Sequence, residues 1–311
     1  MAISQKQWGH ITMFSVATMF ALNIPIGKYL LSNFISPFGY TVSRILFATI
    51  AFWIASLFMK KERVAIKDHL ILLGGGIFGI IFNQGLFIFG LGNTSPVDAS
   101  IITTSSPLFA MIIAALILKE PITLQKAGGV LLGIAGAVSL VYSSHHGNVT
   151  TESGMIGNLS IVGSSFSYAF YLVITRPLST RYSSVTIMKW MFLYAAIFFV
   201  PLFYKDLVNA DLFKQTESLP FAFYAYVLIF ATFIAYMLIP VAQKRIRPTT
   251  ISMYNNLQPI IASFVAISIG QDTFSVGKLI SGILVFMGVY LVTQSKSKAD
   301  LDAEQIQTSK Q

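Results

Sequence analysis

Two stretches of the sequence place a pair of polar, uncharged side chains shortly before a proline. The residues concerned are Thr103, Thr104 and Pro107, and then Asn255, Asn256 and Pro259. Residues three and four positions apart share one face of a helix, and amides that faced lipid would carry a large desolvation cost. These faces should therefore point inward, where hydroxyls and amides can form hydrogen bonds with polar groups of a bound molecule.

Further polar side chains lie within long apolar runs. The candidates are Asn23, Asn83, Gln84, Tyr168, Tyr171 and Tyr236. Each alone could serve only as a hydrogen bond between helices, which is worth about 0.6–2 kcal/mol in membranes. As a set they match the few polar and aromatic groups that line a pocket for small molecules. We expect them to surround one binding cavity together with the two pairs described above.

Only two basic residues, Arg44 and Lys189, fall well inside the apolar runs. Long cationic side chains near helix ends usually extend to the lipid headgroups, and that interpretation applies to both residues. For Arg44 the alternative is a contact with an anionic group of a solute, or a role in a gate. The acidic residues Glu120 and Asp272 lie at junctions between runs, where they should cap the next helix or pair with a nearby lysine.

The sequence offers little for acid–base, nucleophilic or metal chemistry inside these runs. It contains no cysteine, and its four histidines fall at the edges of the runs or in a connection. No Asp, Glu or His lies near the middle of a run, so direct coupling to protons through a carboxylate is not expected. We expect no catalytic residue, no metal and no cofactor, and an intramembrane enzyme is the weaker alternative.

The composition identifies a membrane protein. Hydrophobic residues make up 55% of the 311 residues and charged residues only 11%, against about a quarter in soluble proteins. The net charge of +9 is carried by residues at the ends of the apolar runs, where they would meet lipid headgroups. Nucleic acid is therefore not an expected partner, whereas the lipid bilayer is.

The apolar runs are long enough to cross a hydrocarbon layer of about 30 Å, which takes about 20 helical residues. Ten spans are predicted, at residues 10–31, 37–59, 69–92, 97–118, 124–143, 154–176, 184–204, 219–243, 249–270 and 275–294. The expected fold is an all-α integral membrane protein with ten transmembrane helices.

The distribution of basic residues predicts the orientation of these spans. The connections on the side of the N-terminus, with the tail, carry 15 Lys and Arg residues, and those on the opposite side carry 4. Because basic connections stay in the cytoplasm, we expect both termini there, in a multi-pass protein of a bacterial plasma (inner) membrane. Residues 296–311 are polar and are expected to form a disordered cytoplasmic tail.

The sequence repeats itself at an offset of 152 residues. The matched pairs include Pro107/Pro259, Ala110/Ala262, Glu120/Asp272 and Gly136/Gly288. Each copy contains five spans, an odd number, so the second copy must enter the membrane from the opposite face. Inverted repeats of this kind are typical of secondary transporters. We predict repeats at residues 1–147 and 148–295, with the paired prolines as hinges of equivalent helices.

Residues 96–140 and 248–292 resemble a known family. They read PVDASIITTSSPLFAMIIAALILKEPITLQKAGGVLLGIAGAVSL and PTTISMYNNLQPIIASFVAISIGQDTFSVGKLISGILVFMGVYLV. Both are similar to the EamA repeat of the drug/metabolite transporter superfamily, and FALNIPIGK, SPFGYTVSR and SSFSYAFYLV extend the resemblance over nearly the whole chain. The chain departs from the family pattern at Phe20, where Trp is usual, at Asp272, where Glu is usual, and at Gly282, which is one residue out of register with Gly129.

The resemblance implies a secondary transporter that moves a small metabolite by alternating access, as an exporter or a facilitator. A cavity lined by amides, hydroxyls and aromatic rings suits an amino acid, an amino-acid derivative or a similar amphipathic solute. The alternative within transport is a carrier of nucleotide sugars or sugar phosphates. Such dianionic substrates normally require several Lys or Arg residues at the midplane, and this chain offers at most two.

Glycine pairs with small-xxx-small spacing occur at Gly75/Gly79 and Gly129/Gly133. This spacing serves close helix packing, either within one chain or between two chains. A homodimer is therefore one interpretation of the pattern.

Overall fold

The structure is a computed structural model in which residues 4–94, 99, 102–143, 155–268 and 276–296 are described. These residues fold into helices joined by short connections, with no strand among them. The helices are α1 (Gln5–Asn33), α2 (Pro37–Leu57), α3 (Ile66–Gly76), α4 (Asn83–Asn93), α5 (Ser106–Ile117), α6 (Leu124–Ser143), α7 (Met155–Ser179), α8 (Ser184–Val208), α9 (Ser218–Leu228), α10 (Ala235–Gln243), α11 (Pro248–Met253), α12 (Leu257–Ser268) and α13 (Val276–Gln294). The predicted all-α class is confirmed.

Serine residues begin three of the long helices. Ser4 caps α1 in a capping box with Gln7, and Ser36 and Ser183 accept hydrogen bonds from the first turns of α2 and α8. Pro37 follows Ser36, in a position where its missing N–H needs no partner. The caps satisfy backbone N–H groups that have no partner within the helix. Local sequence therefore determines where these helices start.

Six helical stretches are long and apolar enough to cross a membrane. They are Gln5–Asn33, Pro37–Leu57, Ile66–Asn93, Met155–Ser179, Ser184–Lys214 and Ser218–Gln243. Shorter apolar helices cover Ser106–Ile117 and Leu279–Gln294. With α6, α11 and α12, every one of the ten predicted spans contains a described helix. The chain is a multi-pass membrane protein, and several of its spans are interrupted.

The helices of the two halves recur at the offset of 152 residues seen in the sequence. Helix α3 corresponds to α9 residue for residue, and both continue directly into a π-helical turn, Ile77–Phe82 in the first half and Ile229–Ile234 in the second. The turns themselves are also 152 residues apart. The sequence repeat is therefore accompanied by a repeat of backbone structure, including a feature as rare as a π-helix. The predicted boundary at 147/148 lies outside the described residues.

Contacts between the halves come in matched pairs. Helix α1 packs on α10 and α12, and its counterpart α7 packs on α4 and α5. Helix α2 packs along its own counterpart, α8, and helix α6 packs along its own counterpart, α13. This exchange of contacts is expected for two copies related by a pseudo-two-fold axis.

Connections that the sequence assigns to one side of the membrane contact each other. Arg181 donates to both oxygens of Asp68, at 3.1 and 2.9 Å, and Tyr182 donates to the same carboxylate at 2.7 Å. The backbone N–H of Ser183 donates to Glu62 at 3.0 Å. Burial acts to raise the pKa of Glu62, but hydrogen bonds from the start of α8 outweigh it and lower that pKa. These bonds join the two halves at one end of the bundle.

Connections assigned to the other side also meet. The hydroxyl of Ser36 donates to Asp206 at 3.1 Å, and the N–H of Leu212 donates to the carbonyl oxygen of Phe34 at 2.9 Å. These contacts group the four connections involved into the same two sides as the Lys and Arg count does. Which end faces the cytoplasm stays a prediction.

Glycines allow α6 and α13 to approach closely. A Cβ on Gly129 would lie 2.9 Å from the carbonyl oxygen of Gly288, and a Cβ on Gly288 would lie 2.6 Å from the carbonyl oxygen of Gly129. Gly75 and Gly79 lie equally close to side chains of α7 and α8. The small-residue spacing serves packing within one chain, so it gives no support to the homodimer, which stays a prediction.

We expect Gly129→Ala to lower the free energy of unfolding by about 1–3 kcal/mol, because the added methyl group would force tightly packed helices apart. Gly128→Ala is the matched control, since its methyl group would meet nothing within 4 Å. That control should be neutral or stabilising, because alanine favours a helix over glycine by up to about 1 kcal/mol. Unfolding in detergent measures both variants, and equal effects would contradict the close approach of α6 and α13.

Candidate functional site

A cavity of about 80 Å³ lies between the two halves of the bundle. Eight predicted site residues line it: Asn23, Arg44, Asn83, Gln84, Thr103, Tyr168, Tyr236 and Asn255. Six further residues complete the described wall: Phe20, Phe87, Ser106, Ser164, Ser165 and Gln258. One water needs about 10–15 Å³, so the space holds several waters or a small polar group in this conformation. The structure therefore brings most of the predicted polar residues together around one space.

Two π-helical turns position residues of the cavity wall. The turn Ile77–Phe82 ends directly before Asn83 and Gln84, and the turn Ile229–Ile234 ends two residues before Tyr236. Gln84 and Tyr236 are equivalent at the offset of 152. A π-helical turn adds a residue relative to the α-helical repeat and so rotates the side chains that follow it. The two turns thus aim equivalent positions at the same space.

The two predicted prolines follow a second pair of interruptions. Pro107 lies in the first turn of α5, after a turn at residues 104–105, and Pro259 lies in the first turn of α12, after the 3₁₀ turn Tyr254–Asn256. Each proline therefore begins the second helix of a broken span instead of lying within a continuous helix. Proline is tolerated there since the first turn lacks intrahelical partners for its N–H groups. The role of both prolines as hinges stays a prediction.

Asn83 joins the two halves across the cavity wall. Its amide nitrogen donates to the carbonyl oxygen and to Oγ of Ser164, at 3.2 and 3.1 Å, and the Ser164 hydroxyl donates back to the carbonyl oxygen of Asn83 at 2.8 Å. The Tyr236 hydroxyl donates to the side-chain oxygen of Asn83 at 3.3 Å. The amide is thus occupied within the protein, which favours a structural role.

Three other lining side chains have buried polar atoms without a hydrogen bond in the described part of the chain. They are both amide atoms of Gln84 and the hydroxyls of Ser165 and Tyr168. An unpaired buried polar group costs about 1–3 kcal/mol. Water or solute in the cavity would supply the missing partners. These three residues are therefore better candidates for solute contact than Asn83.

Arg44 is buried in the cavity wall, with 3% of its surface exposed. Its Nε donates to the Thr232 hydroxyl at 2.7 Å and its Nη2 to the Ala231 carbonyl oxygen at 2.9 Å. Its guanidinium carbon lies 5.8 Å from the centroid of the Tyr40 ring. All these groups are neutral, and among the described residues Arg44 forms no salt bridge. The expectation that Arg44 extends to the headgroups is wrong, because the turn Ile229–Ile234 supplies acceptors that hold it inside.

Lys189 and Glu120 both lie away from the cavity wall and interact with other side chains of the protein. Lys189 is only partly buried, lies outside the cavity wall and places Nζ 5.2 Å from the centroid of the Trp53 ring. Glu120 forms salt bridges with Lys126 at 2.9 Å and with Arg176 at 3.2 Å. The predicted pairing of Glu120 with a nearby lysine is confirmed. The equivalent acid of the second half, at position 272, lies outside the described residues.

Three predicted site residues are buried away from the cavity wall. The ring of Tyr171 packs against Gly79, the amide of Asn256 packs against Gly133 on α6, and Thr104 is also buried outside the wall. Successive residues of a helix point in directions about 100° apart. In both polar pairs that precede the prolines, only the first residue therefore faces the cavity.

Several lining residues were missed by the sequence prediction although the sequence contains a signal for them. Ser164 and Ser165 precede Tyr168 by four and three positions, and Gln258 follows Asn255 by three, so each shares a helix face with a predicted residue. Gln258 also donates to the Asn255 side-chain oxygen at 3.3 Å. Helical spacing from the polar residues already chosen would have identified these positions.

The arrangement suits binding rather than bond breaking. The described residues contain no group of three or more His, Cys, Asp or Glu side chains that could hold a metal ion. Arg44 is the only ionised side chain in the described wall, and amides, hydroxyls and aromatic rings make up the rest. A site of this kind can orient a small solute that has a polar or anionic group and an apolar part.

Known proteins share both the sequence pattern and the fold. The model of the EamA-like transporter family matches residues 7–142 and 155–294. An uncharacterized transporter of Methanothermobacter thermautotrophicus is 24% identical over 94% of this chain and 88% of its own length. The protein WALLS ARE THIN 1 of Arabidopsis thaliana is 26% identical over 99% of this chain and 89% of its own length. A crystal structure with 17% identity matches 93% of this chain and 96% of its own, with a TM-score of 0.71. The family and the Methanothermobacter relative are named as transporters rather than enzymes, so the enzyme alternative is set aside.

We expect Asn83→Leu to lower the free energy of unfolding by about 1–2 kcal/mol, because it removes hydrogen bonds between the halves. Gln84→Leu is the matched variant on the neighbouring residue. It removes an amide that forms no hydrogen bond of good geometry with the described residues, so it should be neutral or stabilising. Thermal unfolding in detergent provides the measurement, and a larger loss for Gln84→Leu than for Asn83→Leu would refute this assignment of roles.

Proposed function

The chain belongs to the EamA-like transporter family, and we propose that it carries a small amphipathic metabolite with an anionic group through the central cavity by alternating access. An amino acid or an amino-acid derivative has the required combination of a carboxylate and an apolar part. We further propose that it acts as an exporter or a facilitator.

The observation that carries this proposal is the guanidinium of Arg44. A cation in a low-dielectric region is stable only when it is paired or hydrogen bonded. Among the described residues Arg44 has two neutral acceptors and an aromatic face but no carboxylate partner. A carboxylate that entered the cavity would provide the missing charge and bind in the bidentate geometry that arginine favours.

The rest of the wall supports a solute that also has hydrogen-bonding and apolar parts. The unpaired polar atoms of Gln84, Ser165 and Tyr168 offer both donors and acceptors. Phe20 and Phe87 add aromatic surface to the same wall. An inorganic anion would leave these groups unused, whereas an amphipathic metabolite would contact all of them.

A carrier of nucleotide sugars or sugar phosphates fits this cavity less well. Such substrates carry two or more negative charges, which require several cations when water is removed. The described wall of the cavity holds one cation, Arg44. Arg44 can balance a single carboxylate, and a doubly charged phosphate would keep an unpaired charge in a poorly solvated space.

The repeated backbone supports alternating access. The π-helical turns and the breaks before the two prolines occupy equivalent positions in the two halves and border the same cavity. If the two halves exchange conformations, the cavity opens to the opposite side of the membrane. No carboxylate lines the described wall, so the solute's own charge is a better candidate for energetic coupling than a proton relay.

A flux assay tests the proposed function. The purified protein is reconstituted into liposomes, supplied with a mixture of amino acids and other monocarboxylic metabolites, and the contents are identified by mass spectrometry. We expect selective uptake of one or a few components relative to protein-free liposomes. Uptake of nucleotide sugars or sugar phosphates alone from a second mixture would establish the alternative, and uptake from neither mixture would refute both.

We expect Arg44→Gln to reduce the flux of the identified solute about 10–100-fold, since a charge-assisted hydrogen bond is worth about 1.5–3 kcal/mol. Lys189→Gln removes the other intramembrane cation from a position outside the cavity wall, so its flux should stay near the wild-type value. Both variants are compared at equal amounts of folded protein. Equal losses would show that charge within the spans matters in general and that Arg44 makes no specific contact.

The orientation with both termini in the cytoplasm is also proposed, and the absence of cysteine makes it simple to test. Lys61 and Lys214 are exposed at opposite ends of the bundle. A membrane-impermeant maleimide added outside intact bacterial cells should label Lys214→Cys and should label Lys61→Cys only after the membrane is opened. The reverse pattern would invert the topology.

A further inference from the structure

A second pocket, of about 320 Å³, lies at the end of the bundle that carries both described termini. Its basic side chains are Lys6, His10, Arg176, Arg245 and Arg247. They come from the start of α1, the end of α7 and the connection between α10 and α11, and the end of α13 closes the pocket. Elements of both halves therefore place several cations around one space.

The pocket has an excess of positive charge. No Asp or Glu is among its described lining residues. The acid that reaches it is Glu120, 3.2 Å from Arg176, and Glu120 is already shared with Lys126. Lys6, Arg245 and Arg247 form no salt bridge with a described residue. Most of the charge in the pocket is thus unbalanced.

Neutral acceptors hold two of these arginines in place. Arg245 donates to Gln5 at 2.9 Å and to the carbonyl oxygen of Val241 at 2.7 Å. Arg247 donates to carbonyl oxygens at the end of α13, among them Ser295 at 2.8 Å. Lys6 also donates to the end of α13, at the carbonyl oxygen of Thr293, 3.4 Å away, and the helix dipole there partly compensates both Lys6 and Arg247. The guanidinium groups are oriented before any ligand arrives.

We propose that this pocket binds a phosphate group, supplied by the headgroup of an anionic phospholipid. Arginine and lysine clusters bind phosphate oxygens strongly, and basic pockets between helix ends on the cytoplasmic side bind such headgroups. The membrane-facing side of α1 supports a lipid source. Trp8, Ile11 and Phe14 are 45–49% exposed and lie three residues apart on α1, in the turns that follow Lys6, where they form an apolar face on which acyl chains would pack.

Two other sources of negative charge are possible occupants and are separated by experiment. Inorganic phosphate has the same chemistry without the acyl chains. The chain's own Asp300, Asp302 and Glu304 follow shortly after Ser295 in the sequence. Neither occupant would make use of the exposed apolar face on α1.

Binding is measured on the full-length protein in neutral detergent, by native mass spectrometry during titration with phosphatidylglycerol or phosphatidylcholine. We expect Lys6→Gln and Arg245→Gln each to weaken phosphatidylglycerol binding about fivefold, the value for about 1 kcal/mol per cation. Phosphatidylcholine should bind more weakly than phosphatidylglycerol, and its affinity should change little in the two variants. Lys60→Gln and Lys61→Gln remove the same charge at the same end outside the pocket, and they should have little effect.

Equal weakening in all four variants would mean general attraction to a basic surface and would overturn the proposal. Because Lys6 is exposed, Lys6→Gln keeps the test valid even if Arg245→Gln fails to fold. Displacement of the lipid by inorganic phosphate, with a phosphate affinity that Lys6→Gln reduces equally, would overturn the lipid source. Stronger lipid binding after the combined Asp300→Asn, Asp302→Asn and Glu304→Gln substitutions would identify the tail as the resident occupant and overturn the proposal.

Discussion

The structure depends on one constraint, which is that polar backbone groups and charges within hydrocarbon must find partners inside the protein. Continuous helices satisfy it automatically, and interrupted helices satisfy it only where protein or a cavity surrounds the break. The π-helical turns Ile77–Phe82 and Ile229–Ile234 and the breaks before Pro107 and Pro259 all lie beside the same cavity. The site is therefore located where the constraint allows irregular backbone, and the long helices α1, α2 and α7 contribute the rest of its described wall.

The same constraint explains why Arg44 turns inward. Within hydrocarbon a guanidinium must be hydrogen bonded, and the turn Ile229–Ile234 offers it the Thr232 hydroxyl and the Ala231 carbonyl oxygen. Thr232 itself donates to the carbonyl oxygen of Val227, five residues earlier, at 2.8 Å, so the π-helical turn holds the acceptor in place. Arg44 belongs to the first half and its acceptors to the second. A movement between the halves would alter the surroundings of this cation, which links its position to the state of the cavity.

The sequence predicted the elements of this fold better than the direction of individual side chains. Apolar runs and the repeated prolines identify spans and their breaks, because these depend on residue type alone. The π-helical turns had no such signal, since IFGIIF and IFATFI are ordinary apolar sequences. Asn255 and Asn256 are chemically identical, and packing of Gly133 against Asn256 decides which one faces the cavity. Arg44 was misjudged for the same reason, because its acceptors are 187 and 188 residues away in the chain.

The backbone of the two halves is more alike than their side chains at the cavity, and the two properties serve different ends. Exchange between two conformations requires halves that can adopt equivalent backbone arrangements. Recognition of an asymmetric solute requires different groups at equivalent positions. The offset of 152 pairs Gln84 with Tyr236 and Arg44 with Ala196. A single cation on one side of a repeated framework can hold one end of a solute in a defined direction, while the framework remains free to open either way.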